Sequence, residues 1–297
     1  MFDNASRSEK LSGAESADVF AGVVDLPQHV RVDARLKLHV DFHAGATRLT
    51  ERREEGAMRF RFPRAHGRSP EAILVNIAGG LAGGDRVGID VQAGEGASIA
   101  VSSAAAERIY RSAGAVTTLS TTLTLGAGAT GIWLPQETIL HDGARVKRSF
   151  TLNFAPDSTA VFGEMLFFGR RASGEGFGRG SLAESWRVRR GSKLILADET
   201  RLTDDFAADI LRPASLFNHV ALATLLFAHP DASEHLDAIR ALLPDESGLE
   251  CGATDLGGLI LIRFAGEKAA PLRRHVIRLA EDLARRIAQP LPRALMN

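Results

Sequence analysis

Cysteine is nearly missing from this chain. Cys251 stands alone among 297 residues, so no intrachain disulfide can form. That fits a reducing compartment. A lone cysteine beside an apolar segment reads as a small core residue, not a nucleophile. Ring side chains with polar handles are scarce too. Tyr110, Trp133 and Trp186 are too few and too scattered for a base-stacking platform. Net charge is also lacking: Lys plus Arg number 36 and Asp plus Glu number 36. Bulk electrostatics therefore give no reason to expect a nucleic-acid partner. Long apolar runs are missing. VALATLLFA at 220–228 is far too short to span a bilayer, so no membrane segment is expected. The first twenty residues lack the apolar stretch of a signal peptide and read as a loose polar tail, 1–20. The expected location is cytoplasmic. GxSxG, HExxH and CxxC are all absent, which removes the common signatures of nucleophilic and zinc hydrolases.

What is present is alternation. Val87, Ile89 and Val91 alternate with Gly88, Asp90 and Gln92. Leu119, Thr121, Leu123 and Leu125 do so with Ser120, Thr122 and Thr124. Phe150, Leu152 and Phe154 repeat the pattern. Period two, rich in Thr and Val and broken by Gly clusters, predicts half-buried strands from about residue 30 to 205. The last ninety residues differ. Buried strands are expected at 220–228 and 256–264. A helix is expected after Asp231, with Leu236, Ile239, Leu242 and Leu243 on one face and Glu234 reaching back to cap it. Pro271 opens a final helix whose stripe is Leu272, Val276, Leu279, Leu283 and Ile287. No linker composition appears, so residues 21–297 read as one domain.

Three sets of residues are candidates for chemistry. NIAGGLAGGDR at 76–86 has paired glycines, Gly79 with Gly80 and Gly83 with Gly84, closed by Asp85. Its spacing fits neither a P-loop nor a dinucleotide fingerprint, because a strand follows and not a helix. A tight turn with Asp85 bonding nearby backbone explains it on chemistry alone. Next come acids of the β body: Glu107, Glu137, Asp142, Glu164 and Glu175. Glu137 and Glu164 neighbour apolar stretches. A buried carboxylate needs a cation, a hydrogen-bond shell or a proton. Arg108, Arg111, Arg170 and Arg171 are near in sequence. Internal ion pairs are one reading; a polar lining that passes or holds a divalent cation is the other. Last is HVDFH, where His39, Asp41 and His43 share one strand face. That row suits a nickel or zinc site, or simply an amphipathic strand's wet side. A basic stretch, 48–68, holds seven Arg against three Glu and reads as a solvated face or a surface for an acidic partner.

Five motifs in one order carry a resemblance: NIAGGLAGGDR, SAAAERIYR (103–111), WLPQETILHDGAR (133–145), GEMLFFGRRASGE (163–175) and WRVRRGSKLILADETRL (186–202). Together they resemble the urease accessory protein UreD family, also called UreH, from about residue 30 to the C-terminus. The resemblance implies a mainly β fold, a β-helix-like stack of strands with two C-terminal helices. It implies no enzymatic turnover and no cofactor of its own. It implies a scaffold for nickel insertion into apo-urease that binds UreF, which recruits the GTPase UreG, with nickel as a transported ion passing through an internal channel. It leaves room for a dimer formed through the UreF complex. Gly79, Gly80, Gly83, Gly84, Asp85, Glu137, Asp142, Glu164 and Glu175 are then channel or loop residues. The row of His39, Asp41 and His43 matches no motif of that family. A competing expectation from the residues is a carbohydrate-active enzyme on a β-helix, with Glu137 and Asp142, or Glu164 and Glu175, as its carboxylate pair.

Overall fold

Alternation in the sequence becomes a coil of strands. A computed structural model describes residues 31–63, 69–170, 174–204, 206–212 and 216–296. The tail expected over 1–20 lies outside the described residues, as do Arg64 and Arg68 of the basic stretch. The chain starts with a hairpin, β1 (Asp33–His43) and β2 (Ala46–Glu55), and a short β3 (Met58–Arg61). The coil then runs through β4 (Glu71–Asn76), β5 (Arg86–Ala93), β6 (Ser98–Ser103), β7 (Glu107–Ile109), β8 (Thr117–Leu125) and β9 (Thr130–Trp133). It continues through β10 (Thr138–Leu140), β11 (Arg145–Phe154), β12 (Thr159–Phe168) and β13 (Ser181–Arg190). Antiparallel strands close it: β14 (Lys193–Leu202), β15 (Ala221–Ala228), β16 (Leu249–Asp255) and β17 (Leu259–Gly266). The helices are α1 (Phe206–Leu211), α2 (Ala232–Arg240) and α3 (Ala269–Arg286).

Two sheets form the walls. One has the order β14-β13-β11-β8-β5-β1-β2, the other β16-β17-β15-β12-β9-β6-β4-β3. Parallel neighbours need a crossover connection. Here the crossover is a strand of the opposite sheet, so no helix is needed and the chain winds into about four turns. The expected β-helix-like stack with two C-terminal helices is what the chain adopts.

Register then stacks like upon like. Leu38, Val91, Leu123, Leu152 and Val188 are successive ladder partners and are all fully buried. Each such side chain contributes roughly 1.5–3 kcal/mol. A narrow third ladder runs along one corner: Leu81, Ile109, Leu140 and Phe168, again all buried. A second core lies outside the β4-containing sheet. Ile132, Val161, Phe227 and Ile260 form one row there, covered by Leu272, Val276, Leu279 and Leu283 of α3.

Pro271 does sit in the first turn of α3. The other helix differs in detail from its expectation. α2 stops at Arg240, so Leu242 and Leu243 lie beyond it, and Leu242 is exposed. Pro244 disfavours helical backbone just before it, which shortens the element. Asp231 stands at the N-cap position without a side-chain cap bond.

Candidate functional site

The glycine loop is a corner of the first turn. Asp85 is only 4% exposed and is spent on backbone. Its Oδ1 accepts from Val32 N at 2.9 Å and its Oδ2 from Ala82 N at 2.7 Å. The loop lies against the next corner. Tyr110 Oη donates to Gly79 O at 3.0 Å, and Thr117 Oγ1 donates to Ala82 O at 2.8 Å. Gly80 has φ of 148°, and a Cβ there would run into the Tyr110 ring. A Cβ on Gly83 would meet Ser112 and come within 2.8 Å of Ala115 O. Glycine is required because two corners touch.

Asp142 and Glu175 repeat the device further along. Asp142 Oδ1 accepts from Gly178 N and Arg179 N at 2.9 and 3.0 Å, while Oδ2 takes Arg111 Nη2 at 2.9 Å. Glu175 Oε1 accepts from Asp142 N at 2.9 Å, and Oε2 takes Arg170 Nε at 2.6 Å. Backbone N–H donors and the neighbouring arginines hold both carboxyls below their ordinary values, against some desolvation. Glu137 lies elsewhere: Arg273 of α3 reaches it at 3.2 Å.

Glu164 is different. β12 places it on the coil's inner side, between Phe162 and Leu166, and it is 6% exposed. Trp133 Nε1 donates to Oε1 at 2.7 Å, and Arg148 Nη2 contacts Oε2. Burial pushes the carboxyl up; Arg148 and the indole pull back only in part. The partner is thus Arg148 on β11, not Arg170, which pairs with Glu175; Arg171 lies outside the described residues. Arg148 is 3% exposed and holds an inward position between Val146 and Phe150. Glu184, its register partner on β13, lies 3.2 Å from Nη1.

Two cavities flank this group. One, about 230 Å³, lies within the early turns and is lined by Gly79, Gly80, Glu107, Trp133 and Phe150. The other, about 590 Å³, lies between the closing strands and is lined by Glu184, Asp198, Glu250, Cys251 and Arg263. Arg148 and Glu164 line both. At the smaller cavity Glu107 accepts two contacts from Asn76 Nδ2, at 2.9 and 3.1 Å. Burial raises its carboxyl to about 7. Arg148 and Glu184 escape a reading that seeks acids near apolar runs. The available signal is a charge inside an inward period-two row: Val146, Arg148, Phe150 on β11 and Leu182, Glu184, Trp186 on β13.

A profile of the family described as UreD urease accessory protein matches residues 32–295. The chain belongs to the UreD family of urease accessory proteins. Proteins named urease accessory protein UreD are similar to it along nearly their whole length. That of Methylobacterium sp. (strain 4-46) is 43% identical over 272 residues, covering 90% of this chain and 95% of the relative. That of Azorhizobium caulinodans is 40% identical over 267 residues, covering 90% and 97%. That of Rhodopseudomonas palustris (strain HaA2) is 39% identical over 287 residues, covering 96% and 97%. UreD proteins are accessory proteins and not catalysts. The four acids of the carbohydrate-active alternative accordingly have separate duties here: Glu137 on Arg273, Glu164 on Arg148, and Asp142 with Glu175 at a corner.

The HVDFH row does share the outward face of β1. Its members still form no three-ligand cluster: among the described residues, no group of three or more His, Cys, Asp or Glu side chains is placed to hold a metal ion. His39 Nε2 lies 3.3 Å from Asp41 Oδ1, and Thr50 Oγ1 donates to Asp41 Oδ2 at 2.8 Å. Among the described residues no helix is long and apolar enough to cross a membrane.

Proposed function

We propose that this chain is a scaffold for urease maturation that lets nickel pass through its interior. It binds UreF, recruits the GTPase UreG through UreF, docks on apo-urease in the cytoplasm, and pairs with a second copy through UreF. The observation that supports an interior route is the meeting of two cavities at one buried carboxylate, Glu164, inside a UreD-family coil. Oxygen donors spaced along a passage suit a cation that must bind weakly enough to leave. Asp85, Asp142 and Glu175 then keep the wall in shape, and Glu164 faces the cargo.

The test is nickel-dependent urease activity in cells that carry the host urease operon without this gene, then with it restored. Activity should vanish and return. Full activity without the gene overturns the maturation role. In the same cells Glu164→Gln should lower activation while UreF still co-purifies. Loss of UreF binding would instead make Glu164 a structural residue and remove it from the route.

A further inference from the structure

Where the two cavities share a wall, a guanidinium sits between two carboxylates and fills the place that a cation would need. Arg148 reaches in from one sheet and Glu164 from the other, and both line both cavities. Glu184 stands on the far side of the guanidinium, 3.2 Å from Nη1. The angle there is too poor for a hydrogen bond. Arg148 Nε and Nη1 and Glu184 Oε2 are buried without a hydrogen-bond partner. The guanidinium otherwise rests near the Phe150 ring, 4.9 Å from its centroid. A buried ion is costly unless its hydrogen bonds are complete. This one is held firmly by one nitrogen and loosely by the other two.

Arginine keeps its proton throughout the physiological range. A divalent cation arriving there therefore meets a like charge that already neutralises the carboxylates it would need. With the guanidinium swung away, two carboxylates would face open space, and carboxylate oxygens are competent ligands for divalent metals. We propose that Arg148 is a gate: it occupies, as an internal counter-ion, a divalent-cation seat formed by Glu164 and Glu184, and a cation takes that seat only when the guanidinium leaves. The proposal rests on the nickel-route reading for its purpose. The seat itself rests on the geometry.

The molecule carries its own reporters. Its two tryptophans each bond one of the carboxylates, Trp133 Nε1 to Glu164 at 2.7 Å and Trp186 Nε1 to Glu184 at 2.9 Å. A nickel ion on the seat would quench both indoles. Nickel(II) chloride is titrated into the full chain while tryptophan fluorescence is read. Wild type should change little. Arg148→Gln should show saturable quenching at one nickel per chain, at least about tenfold tighter than wild type once the like charge is gone. Adding Glu164→Gln to it should abolish that quenching. Equal quenching of wild type and Arg148→Gln, or none in either, overturns the gate. Should Arg148→Gln fail to fold, Arg148→Lys carries the test, because an ammonium cannot span two carboxylates as the planar fork does. It should quench at lower nickel than wild type, and no difference would overturn the gate.

Urease activation separates the two ideas. If Arg148→Gln takes up nickel while Glu164→Gln activates urease normally, the seat stands and the interior route falls. If Glu164→Gln abolishes activation while Arg148→Gln takes up no nickel, the route stands and the gate falls.

Discussion

The corners of the coil and its interior both hold carboxylates, yet they treat them in opposite ways. At the corners, Asp85, Asp142 and Glu175 receive backbone N–H groups of turns and loops. Their charge completes the fold. Inside, Glu164 and Glu107 see mainly desolvation, with a guanidinium and an indole for one, and the Asn76 amide and a single backbone N–H, that of Arg108, for the other. Their charge strains against the surroundings. One residue type therefore builds the wall in one place and lines a space in the other. Donor supply decides which: turns leave several backbone amides free, whereas strands have spent most of theirs on the ladders.

The largest test of this contrast removes the interior cation. Arg148→Ala strands Glu164 in the core and should cost about 3–5 kcal/mol in urea unfolding, whereas Arg148→Met with Glu164→Leu should recover most of it. An equal loss in the double variant would mean that packing, not charge, dominates there. At the corner, Asp85→Ala removes an acceptor for two amides and should cost about 2–3 kcal/mol. No partner substitution should rescue it, since the partners are backbone. A rescue would erase the distinction between wall and interior.

The most gradual effect is in pH. Glu107 has a folded value raised to about 7 from an ordinary 4.5. The folded state thus holds that proton more tightly, and its contribution is complete below pH 4.5 and declines as pH rises through 7, by at most about 3 kcal/mol. Asp142 and Glu175 are lowered, so their contribution is present above their ordinary values and is lost as pH falls through the folded ones. Urea midpoints against pH should therefore show two slopes of opposite sign. Glu107→Gln should lessen the fall between pH 4.5 and 7, leaving the part that the raised Glu164 carboxyl contributes, and keep the acid limb. A variant that keeps the fall undiminished would place its origin elsewhere.

Much of the coil is legible in the sequence because period two is a direct imprint of a wall with one dry face. The runs at 87–91, 119–125 and 150–154 become β5, β8 and β11 with the expected faces inward. The stripe beginning at Leu272 becomes α3. Pairing is less legible. That β5 lies between β1 and β8 follows from winding, which no single strand encodes. The short α1 has six residues and too little pattern to read. Among candidate residues, burial next to apolar runs points correctly to Glu164 as a carboxylate in need of a partner. It misplaces that partner, because stacking of turns brings Arg148 across from sixteen positions away. The inward charges at Arg148 and Glu184 are visible as breaks in alternation once the strands are drawn.

Among the described residues α2 and α3 roof one sheet, toward its last strands. The opposite end finishes in β2 and β3, each paired along a single edge. Stacked turns draw their stability chiefly from neighbours, so such an array has a firm end and a yielding end. Amide protection should decline from β12 and β15 toward β2, as in a spring clamped at one side. The smaller cavity lies in the yielding half and the larger against the clamped one. Breathing of the free end would therefore widen the smaller cavity while the larger keeps its shape, a soft chamber beside a hard one.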